Sequence, residues 1–467
     1  MLRELTLMVL FSAALDATAA LADARQDCEK LRADAAIQAC GQAIGEFPRD
    51  AEAYDHRGAA YQAAGDLDRA IADYAKAIEI DPNDAKAWYT SGGAYAAKGD
   101  FDRAIADYTK SIEIDPKHAA AYNNRGLAYK AKGDLDRAIA DDTKAIEIDP
   151  KHAGAYNNRG NAYQLKGDRD SAIADYTKAI EINPKYAAAY NSRGVAYLAK
   201  GDFDSAIADD TRAIEIDPKN ARSYTNRSVA YSSKGDPDDA IADATRAIEI
   251  EPKYAAYNRR GFAYLAKRDF DHAVADFTKA IEIEPNNAEA RYNRGIAYSS
   301  KGDLDSAIAD DAKAIEIDPR YAAAYGSRGN AHLARGDLDG AIADATKAID
   351  IDPKYAAGYN ERGNAYVAKG DFDRAIADYT EALEIDPNDA GILDSRGFVH
   401  LRLGRLDEAI ADYDAAVKIN PRLAGALYAR GYCKRKKGDQ AGADADIAAA
   451  KAIQADVADE YARYGMN

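Results

Sequence analysis

The sequence predicts an all-α fold, a solenoid built from tandem pairs of helices that share one core. Prolines recur with a period of 34 residues, and between them small and aromatic residues recur at helical spacing. A single interval, the one before Pro285, is 33 residues long. The regular prolines are Pro48, Pro82, Pro116, Pro150, Pro184, Pro218, Pro252, Pro285, Pro319, Pro353, Pro387 and Pro421.

The first complete repeat begins with an amphipathic helix. Tyr54, Gly58 and Tyr61 lie on one face of this helix, because they are spaced by four and three residues. Gly65 follows and suits the left-handed position that ends a helix. Asp66 is a good N-cap for the next helix. The arginine before the packing glycine, Arg57 here, is expected to pair with an acidic residue of the repeat.

The second helix of the same repeat carries an apolar stripe. It consists of Leu67, Ala70, Ile71, Tyr74, Ala77 and Ile78. Pro82 ends the helix and begins the turn into the next repeat. Since Gly58 and Ala70 are both small, the two helices can approach closely there.

This pattern resembles the tetratricopeptide repeat family. The family asks in order for an aromatic residue, Gly, Tyr, Ala, an aromatic residue, Ala and Pro, and the repeat from Ala85 supplies Trp88, Gly92, Tyr95, Ala104, Tyr108, Ser111 and Pro116. The resemblance implies a right-handed α-solenoid of about twelve helix-turn-helix repeats. The repeats fill residues 51–457 and start at residues 51, 85, 119, 153, 187, 221, 255, 288, 322, 356, 390 and 424. A degenerate repeat at 23–50 precedes them, and a cap at 458–467 follows.

Several residues depart from the pattern. Asp142, Asp210 and Asp311 occupy the aromatic position of the second helix. Arg268 replaces the glycine of the turn, and the repeat from residue 255 lacks one residue near its start. We expect these departures to disturb local regularity and to leave the fold intact.

Residues 1–22 predict a secretory signal peptide. The segment 5–15 is apolar but too short to span a bilayer, and Ala20-Leu21-Ala22 fits a cleavage site. Export to the periplasm or the exterior is therefore expected, with a cytoplasmic location as the alternative because Glu4 offsets Arg3. After cleavage no stretch is apolar enough for stable membrane insertion.

Oxidising conditions after export would allow a disulfide between Cys28 and Cys40, which are twelve residues apart in the sequence, a spacing at which two antiparallel helices would place them side by side. Cys433 has no partner in the sequence and replaces a packing tyrosine, so we expect a buried thiol.

The net charge and the absence of catalytic motifs in the sequence argue against nucleic-acid binding and against catalysis. A formal net charge of −17 disfavours nucleic acid as a partner. The six histidines are scattered over the repeats, and no phosphate loop, nucleophile elbow or zinc motif occurs. We therefore expect a protein that is not an enzyme and needs no cofactor or metal.

The resemblance implies that the first helices line a concave groove. Asparagines recur there one or two positions before the arginine of seven repeats, at Asn123, Asn124, Asn157, Asn158, Asn191, Asn226, Asn258, Asn293 and Asn360. A carboxamide can both donate to and accept from a peptide main chain, and a similar asparagine ladder is known in the repeats of O-linked N-acetylglucosamine transferase. Our hypothesis is that Asn124, Asn158, Asn226 and Asn293 hold such a peptide. The alternative is that they are solvated residues retained by repeat duplication.

An apolar patch is the second candidate site. Phe262, Leu265 and Ile296 are predicted to face the groove of the later repeats, with Leu333, Phe398 and Leu401 beyond them. Burial by the solenoid or by a dimer would be the alternative. The predicted function is a scaffold that binds a peptide or a partner protein. A self-assembling homo-oligomer and a non-catalytic subunit of an enzyme complex remain alternatives.

Overall fold

The computed structural model describes residues 33–463 and residue 465, and every regular element within them is an α-helix. The predicted signal peptide at 1–22 and Cys28 lie outside the described residues, so the Cys28–Cys40 disulfide stays a prediction. Cys40 itself is fully buried. The chain divides into two compact units, Met1–Lys234 and Gly235–Asn467, and each is described by itself.

Twelve helices are described in the first unit. They are α1 (Ala33–Glu46), α2 (Ala51–Ala63), α3 (Leu67–Ile80), α4 (Ala85–Ala97), α5 (Phe101–Ile114), α6 (Ala119–Ala131), α7 (Leu135–Ile148), α8 (Ala153–Leu165), α9 (Arg169–Ile182), α10 (Ala187–Lys200), α11 (Phe203–Ile216) and α12 (Ala221–Lys234). Each helix packs against the next one in sequence, as a solenoid requires.

Fourteen helices are described in the second unit. They are α13 (Pro237–Ile250), α14 (Tyr254–Ala266), α15 (Phe270–Ile283), α16 (Ala288–Lys301), α17 (Leu304–Ile317), α18 (Ala322–Arg335), α19 (Leu338–Ile351), α20 (Ala356–Lys369), α21 (Phe372–Ile385), α22 (Ala390–Arg402), α23 (Leu406–Ile419), α24 (Ala424–Lys436), α25 (Gln440–Ile453) and α26 (Val457–Ala462). The predicted all-helical fold of stacked pairs is confirmed.

Short turns hold the two helices of a repeat antiparallel. Between α2 and α3, Gly65 has a φ of +83°, as predicted for the residue that ends the first helix. Asp66 then caps α3, since its carboxylate accepts a 3.0 Å hydrogen bond from the backbone N–H of Arg69. Because the turn is so short, the second helix packs antiparallel against the first.

Glycine in the first helix allows the close contact within a repeat. A Cβ atom at Gly58 would lie only 2.7 Å from the ring of Tyr74, and Tyr74 is 1% exposed. The tyrosine ring therefore packs directly on the backbone of the facing helix. Alanines fill most of the remaining core positions, which lets successive helices approach closely.

An arginine ties three helices together in most repeats. Nε and Nη2 of Arg125 donate to the two carboxylate oxygens of Asp141, both at 2.8 Å, and Nη1 donates to the Thr109 hydroxyl of the preceding repeat at 3.0 Å. The predicted pairing of these arginines is confirmed. Equivalent pairs are Arg57–Asp73, Arg159–Asp175, Arg193–Asp209, Arg260–Asp276, Arg294–Asp310, Arg328–Asp344, Arg362–Asp378, Arg396–Asp412 and Arg430–Asp446.

The shortened repeat loses its residue from a turn. Helix α14 begins at Tyr254, one residue before the predicted repeat start at 255, and only residues 251–253 separate it from α13. The turn between α15 and α16 has four residues, 284–287. The deletion therefore leaves both neighbouring helices at full length.

The C-terminal helix α26 covers the last pair. Val457 is 1% exposed, and the ring of Tyr461 lies 5.2 Å from that of Tyr428. Cys433 is fully buried as predicted, and burial raises the pKa of its thiol to about 12. Between residues 33 and 463, no helix has the length and apolar character needed to cross a bilayer.

Arg268 is expected to cost stability where the other turns use glycine. Its φ is +60°, the one positive value at a non-glycine residue in the described chain. Because a Cβ atom disfavours this conformation, we expect Arg268→Gly to raise the free energy of unfolding by about 1 kcal/mol. Urea unfolding followed by circular dichroism measures this change. Arg268→Ala serves as the control, since alanine keeps the Cβ atom, and an equal gain in both variants would contradict the explanation.

Candidate peptide-binding surface

First helices of four successive repeats line one cavity in the first unit. It encloses about 470 Å³ and is formed by residues of α6, α8, α10 and α12 and of the turn before α12. Most of its polar groups are hydrogen-bond donors or carboxamides. They include Lys130, Asn157, Asn161, Gln164, Asn191 and Arg222.

The predicted asparagines form hydrogen bonds between neighbouring repeats. Asn158 Nδ2 donates to Asn123 Oδ1 at 2.8 Å in the first unit. In the second unit Asn293 Nδ2 donates to Asn258 Oδ1 at 2.9 Å. We call the position of Asn123 within its repeat the first ladder position and the next residue, Asn124, the second ladder position. Each bond runs from a second ladder position back to the first ladder position of the repeat before.

Other residue types make the same bond in the earliest repeats. Asn124 Nδ2 donates to the Tyr89 hydroxyl at 2.9 Å. The Thr90 hydroxyl donates to Asp55 Oδ1 at 2.8 Å. The ladder therefore joins repeats to one another, a role that the sequence-based hypothesis did not include.

Burial divides the predicted asparagines into two groups. Four of those at first ladder positions, together with Asn293, are between 2% and 7% exposed, namely Asn123, Asn157, Asn191, Asn258 and Asn293. Asn124, Asn158, Asn226 and Asn360 are half-buried. Asn293, one of the four asparagines predicted to hold a peptide, is 2% exposed, and its amide donates to Asn258.

Two residues of the predicted apolar patch pack against a buried core cluster of the second unit. The ring of Phe262 meets that of Phe277 edge to face at 5.4 Å, and Leu265 packs against the same core cluster. Ile296, one repeat further on, is half-buried. All three side chains are partly buried, and their role in binding a peptide stays a prediction.

Three carboxylates are buried where other repeats bury an aromatic ring. Asp142, Asp210 and Asp311 are at most 1% exposed. Burial raises the pKa of Asp142 to about 8. Burial also raises the pKa of Asp311 to about 8, although the nearby Ser327 side chain acts in the opposite direction. The sequence showed these aspartates in aromatic positions, and the burial of that column was the signal that could have revealed their raised pKa values.

A second cavity, of about 320 Å³, lies at the C-terminal end of the second unit. Helices α20, α21, α22 and α26 line it with Asn364, Val367, Tyr379, Asp394, Phe398 and Tyr461, among others. Burial raises the pKa of Asp394 to about 6. Sequence reasoning missed Asp394, because an aspartate at a first ladder position gives no sign of whether its carboxylate oxygens find hydrogen-bond partners in the fold. Among the described residues no His, Cys, Asp and Glu cluster could hold a metal ion.

Family models match the chain over most of its repeats. One, described as TPR repeat, matches residues 92–133, 127–167, 329–370, 363–404 and 399–438. Two others, described as tetratricopeptide repeat, match residues 51–84, 153–186, 187–220 and 254–287, and residues 74–106, 211–242 and 277–309.

Solved structures also resemble the chain. Yeast Tom70 is 19% identical, with 79% of this chain and 92% of that chain covered and a TM-score of 0.44. The Cut9–Hcn1 hetero-tetramer of APC/C gives 16% identity, coverages of 91% and 92%, and a TM-score of 0.46. MamA is 33% identical, with 35% of this chain and 96% of that chain covered and a TM-score of 0.33. A comparison with curated proteins gives no significant match.

Proposed function

The chain belongs to the tetratricopeptide repeat family, and from that premise we propose that it is a non-enzymatic scaffold that binds a segment of a partner protein. The binding surface is the one formed by the first helices, and the partner segment lies in the cavity of the first unit. Such a site acts by being preformed, because a rigid surface loses little conformational entropy on binding. The predicted export of the chain would place the partner outside the cytoplasm.

The observation that carries this proposal is the cavity shared by α6, α8, α10 and α12. The single hydroxyl hydrogen of Tyr176 is shared between Asn161 Oδ1 at 2.9 Å and Gln164 Oε1 at 2.8 Å. With both carboxamide oxygens turned toward this hydroxyl, the NH₂ groups remain as donors. Peptide carbonyl oxygens need such donors whatever the sequence of the peptide.

An exposed leucine supports the same conclusion. Leu165 lies at the cavity and is 65% exposed, more than any other exposed large hydrophobic residue in the described chain. A partner segment with an apolar side chain would remove this surface from water, which contributes about 25 cal/mol per Å². The cavity thus offers both a hydrogen-bonding wall and an apolar contact.

Affinity purification of the full chain from its native host, with mass spectrometry, identifies the partner. We then expect the double variant Asn161→Ala, Gln164→Ala to raise the Kd for that partner at least about tenfold, because two hydrogen bonds to the peptide are lost. Isothermal titration calorimetry measures the change.

The matched control is Asn83→Ala with Asn388→Ala, two exposed asparagines in turns. This control is expected to bind like the unaltered chain. An unchanged Kd in the cavity variant would contradict the proposed surface. Sedimentation that shows extended self-association in place of partner binding would favour a self-assembling protein.

A further inference from the structure

Aspartate occupies the first ladder position in two repeats, at Asp55 in the first unit and at Asp394 in the second. The two residues therefore sit at the same place in the same kind of helix. Their surroundings differ in what the following repeat supplies. This difference shows what the carboxylate at Asp394 lacks.

Asp55 is neutralised by the next repeat of its own chain. Lys86 Nζ lies 3.0 Å from Asp55 Oδ2, and the Thr90 hydroxyl donates to Asp55 Oδ1 at 2.8 Å. Asp55 is only 4% exposed, so the ammonium group and the hydroxyl replace the water that its carboxylate would otherwise bind.

Asp394 receives neither group from the repeat that follows it. The residues that correspond to Lys86 and Thr90, 31 and 35 positions further along the chain, are Gly425 and Ala429. Asp394 Oδ1 is buried and has no hydrogen-bond partner within the described part of the chain. A buried carboxylate oxygen in this state is costly, because its lost hydration is not replaced.

Glycine at 425 leaves room for the C-terminal helix. A Cβ atom there would lie 2.6 Å from the Tyr461 hydroxyl, so a lysine at this position would collide with α26. Tyr461 takes this space and forms a wall of the 320 Å³ cavity beside Asp394. Beside Asp394, helix α26 and an open cavity therefore occupy the space that a lysine side chain fills beside Asp55.

The rest of the cavity suits an aliphatic chain that ends in a cation. Val367 and Phe398 add apolar walls to that of Tyr461, and Glu460 adds a second carboxylate at an exposed position. The eight described residues that line the cavity include no lysine or arginine. The negative charge is therefore not compensated by the cavity itself, and the net charge of −17 attracts cationic partners over a longer range.

We propose that this cavity takes a lysine side chain of the partner protein, whose ammonium group binds Asp394 as Lys86 binds Asp55. The proposal rests on the function proposed above and identifies one contact of that partner. The methylene stem of the lysine packs against Val367, Phe398 and Tyr461, and the ammonium group donates to the carboxylate. Asp55 is the precedent within this chain for an ammonium group at that position.

The test uses Nα-acetyl-lysine N-methylamide as the probe and the full chain labelled at its valine methyl groups. Val367 lines the cavity, so its methyl NMR signals report occupancy. We expect saturable shifts of these signals with the lysine compound, and at least tenfold weaker binding of the norleucine analogue, which has a similar stem without the ammonium group. Equal binding of the two compounds, or no shift with either, would overturn the proposal.

Two variants complete the test. Asp394→Asn keeps the side-chain shape and is expected to weaken lysine binding at least tenfold. Asp55→Asn changes the same ladder position where the chain already supplies a lysine, and it is expected to leave the Val367 titration unchanged. If Asp394→Asn bound the probe like the unaltered chain, the assignment of Asp394 would be wrong. The probe does not depend on the partner, so failure here with intact partner binding would overturn this inference alone.

Discussion

Replacing Gly92 by alanine is expected to destabilise the α4–α5 pair by about 1–3 kcal/mol, although alanine is the better helix former. A Cβ atom at Gly92 would lie 2.8 Å from the ring of Tyr108 and 3.2 Å from the backbone oxygen of Ala104. Tyr108 is 2% exposed and closely packed, so the ring can move away only by disturbing the core. The steric cost therefore exceeds the gain in helix propensity.

Gly93, the next residue in the same helix, is the matched control. Its nearest contact for a Cβ atom is the Tyr108 hydroxyl at 3.8 Å, an ordinary van der Waals distance. We expect Gly93→Ala to stabilise the helix by about 0.5–1 kcal/mol, because glycine loses more backbone entropy on folding. Hydrogen exchange followed by mass spectrometry measures both changes within residues 85–114. A destabilising effect of equal size in both variants would show that packing against Tyr108 is not the cause.

Replacing Asp311 by asparagine is expected to stabilise the second unit at pH 8 by about 2–4 kcal/mol and to have little effect near pH 4. Asp311 is fully buried, and no hydrogen bond of ordinary length and angle reaches either carboxylate oxygen within residues 33–463. Burial raises its pKa to about 8, from an ordinary value of 3.8. The folded chain therefore holds a proton that the unfolded chain releases.

The sign of the pH dependence follows from that proton. Between about pH 4 and pH 8 the folded state binds more protons than the unfolded state at this residue, so stability falls as pH rises, by up to ~1.4 kcal/mol per pH unit. Asparagine does not titrate and removes this slope. Urea midpoints measured at pH 5, 6.5 and 8 give the slope for the original and the variant chain. Parallel slopes in the two proteins would contradict the raised pKa.

Asp310 provides the control because it lies next to Asp311 and has a partner. Its carboxylate accepts hydrogen bonds from Arg294 Nε at 2.6 Å and Nη2 at 2.8 Å. We expect Asp310→Asn to destabilise the unit by about 1–3 kcal/mol at pH 8, since it leaves a half-buried guanidinium with weaker acceptors. The two neighbouring substitutions should thus change stability in opposite directions.

The candidate sites were less predictable than the fold. Asparagines at the ladder positions were recognised as a recurring polar feature, but the sequence did not show that Asn158 would donate to Asn123 in the neighbouring repeat. An asparagine looks the same in the sequence whether its carboxamide binds a ligand or another side chain. Only the distance between repeats identifies the partner.

The sequence by itself determined the helix pairs. The 34-residue period, the Gly-Asp turn and the glycine opposite a tyrosine are local or strictly periodic, so each can be recognised without a structure. The tertiary structure decided which buried polar groups are paired. Asp55 and Asp394 occupy the same ladder position, yet Lys86 neutralises the first, and Tyr461 takes the space of a lysine beside the second. Pairing depends on atoms about 30 or more residues away in the chain. Residues one or more periods apart occupy equivalent positions in the fold, but the side chains around them can differ from one repeat to the next.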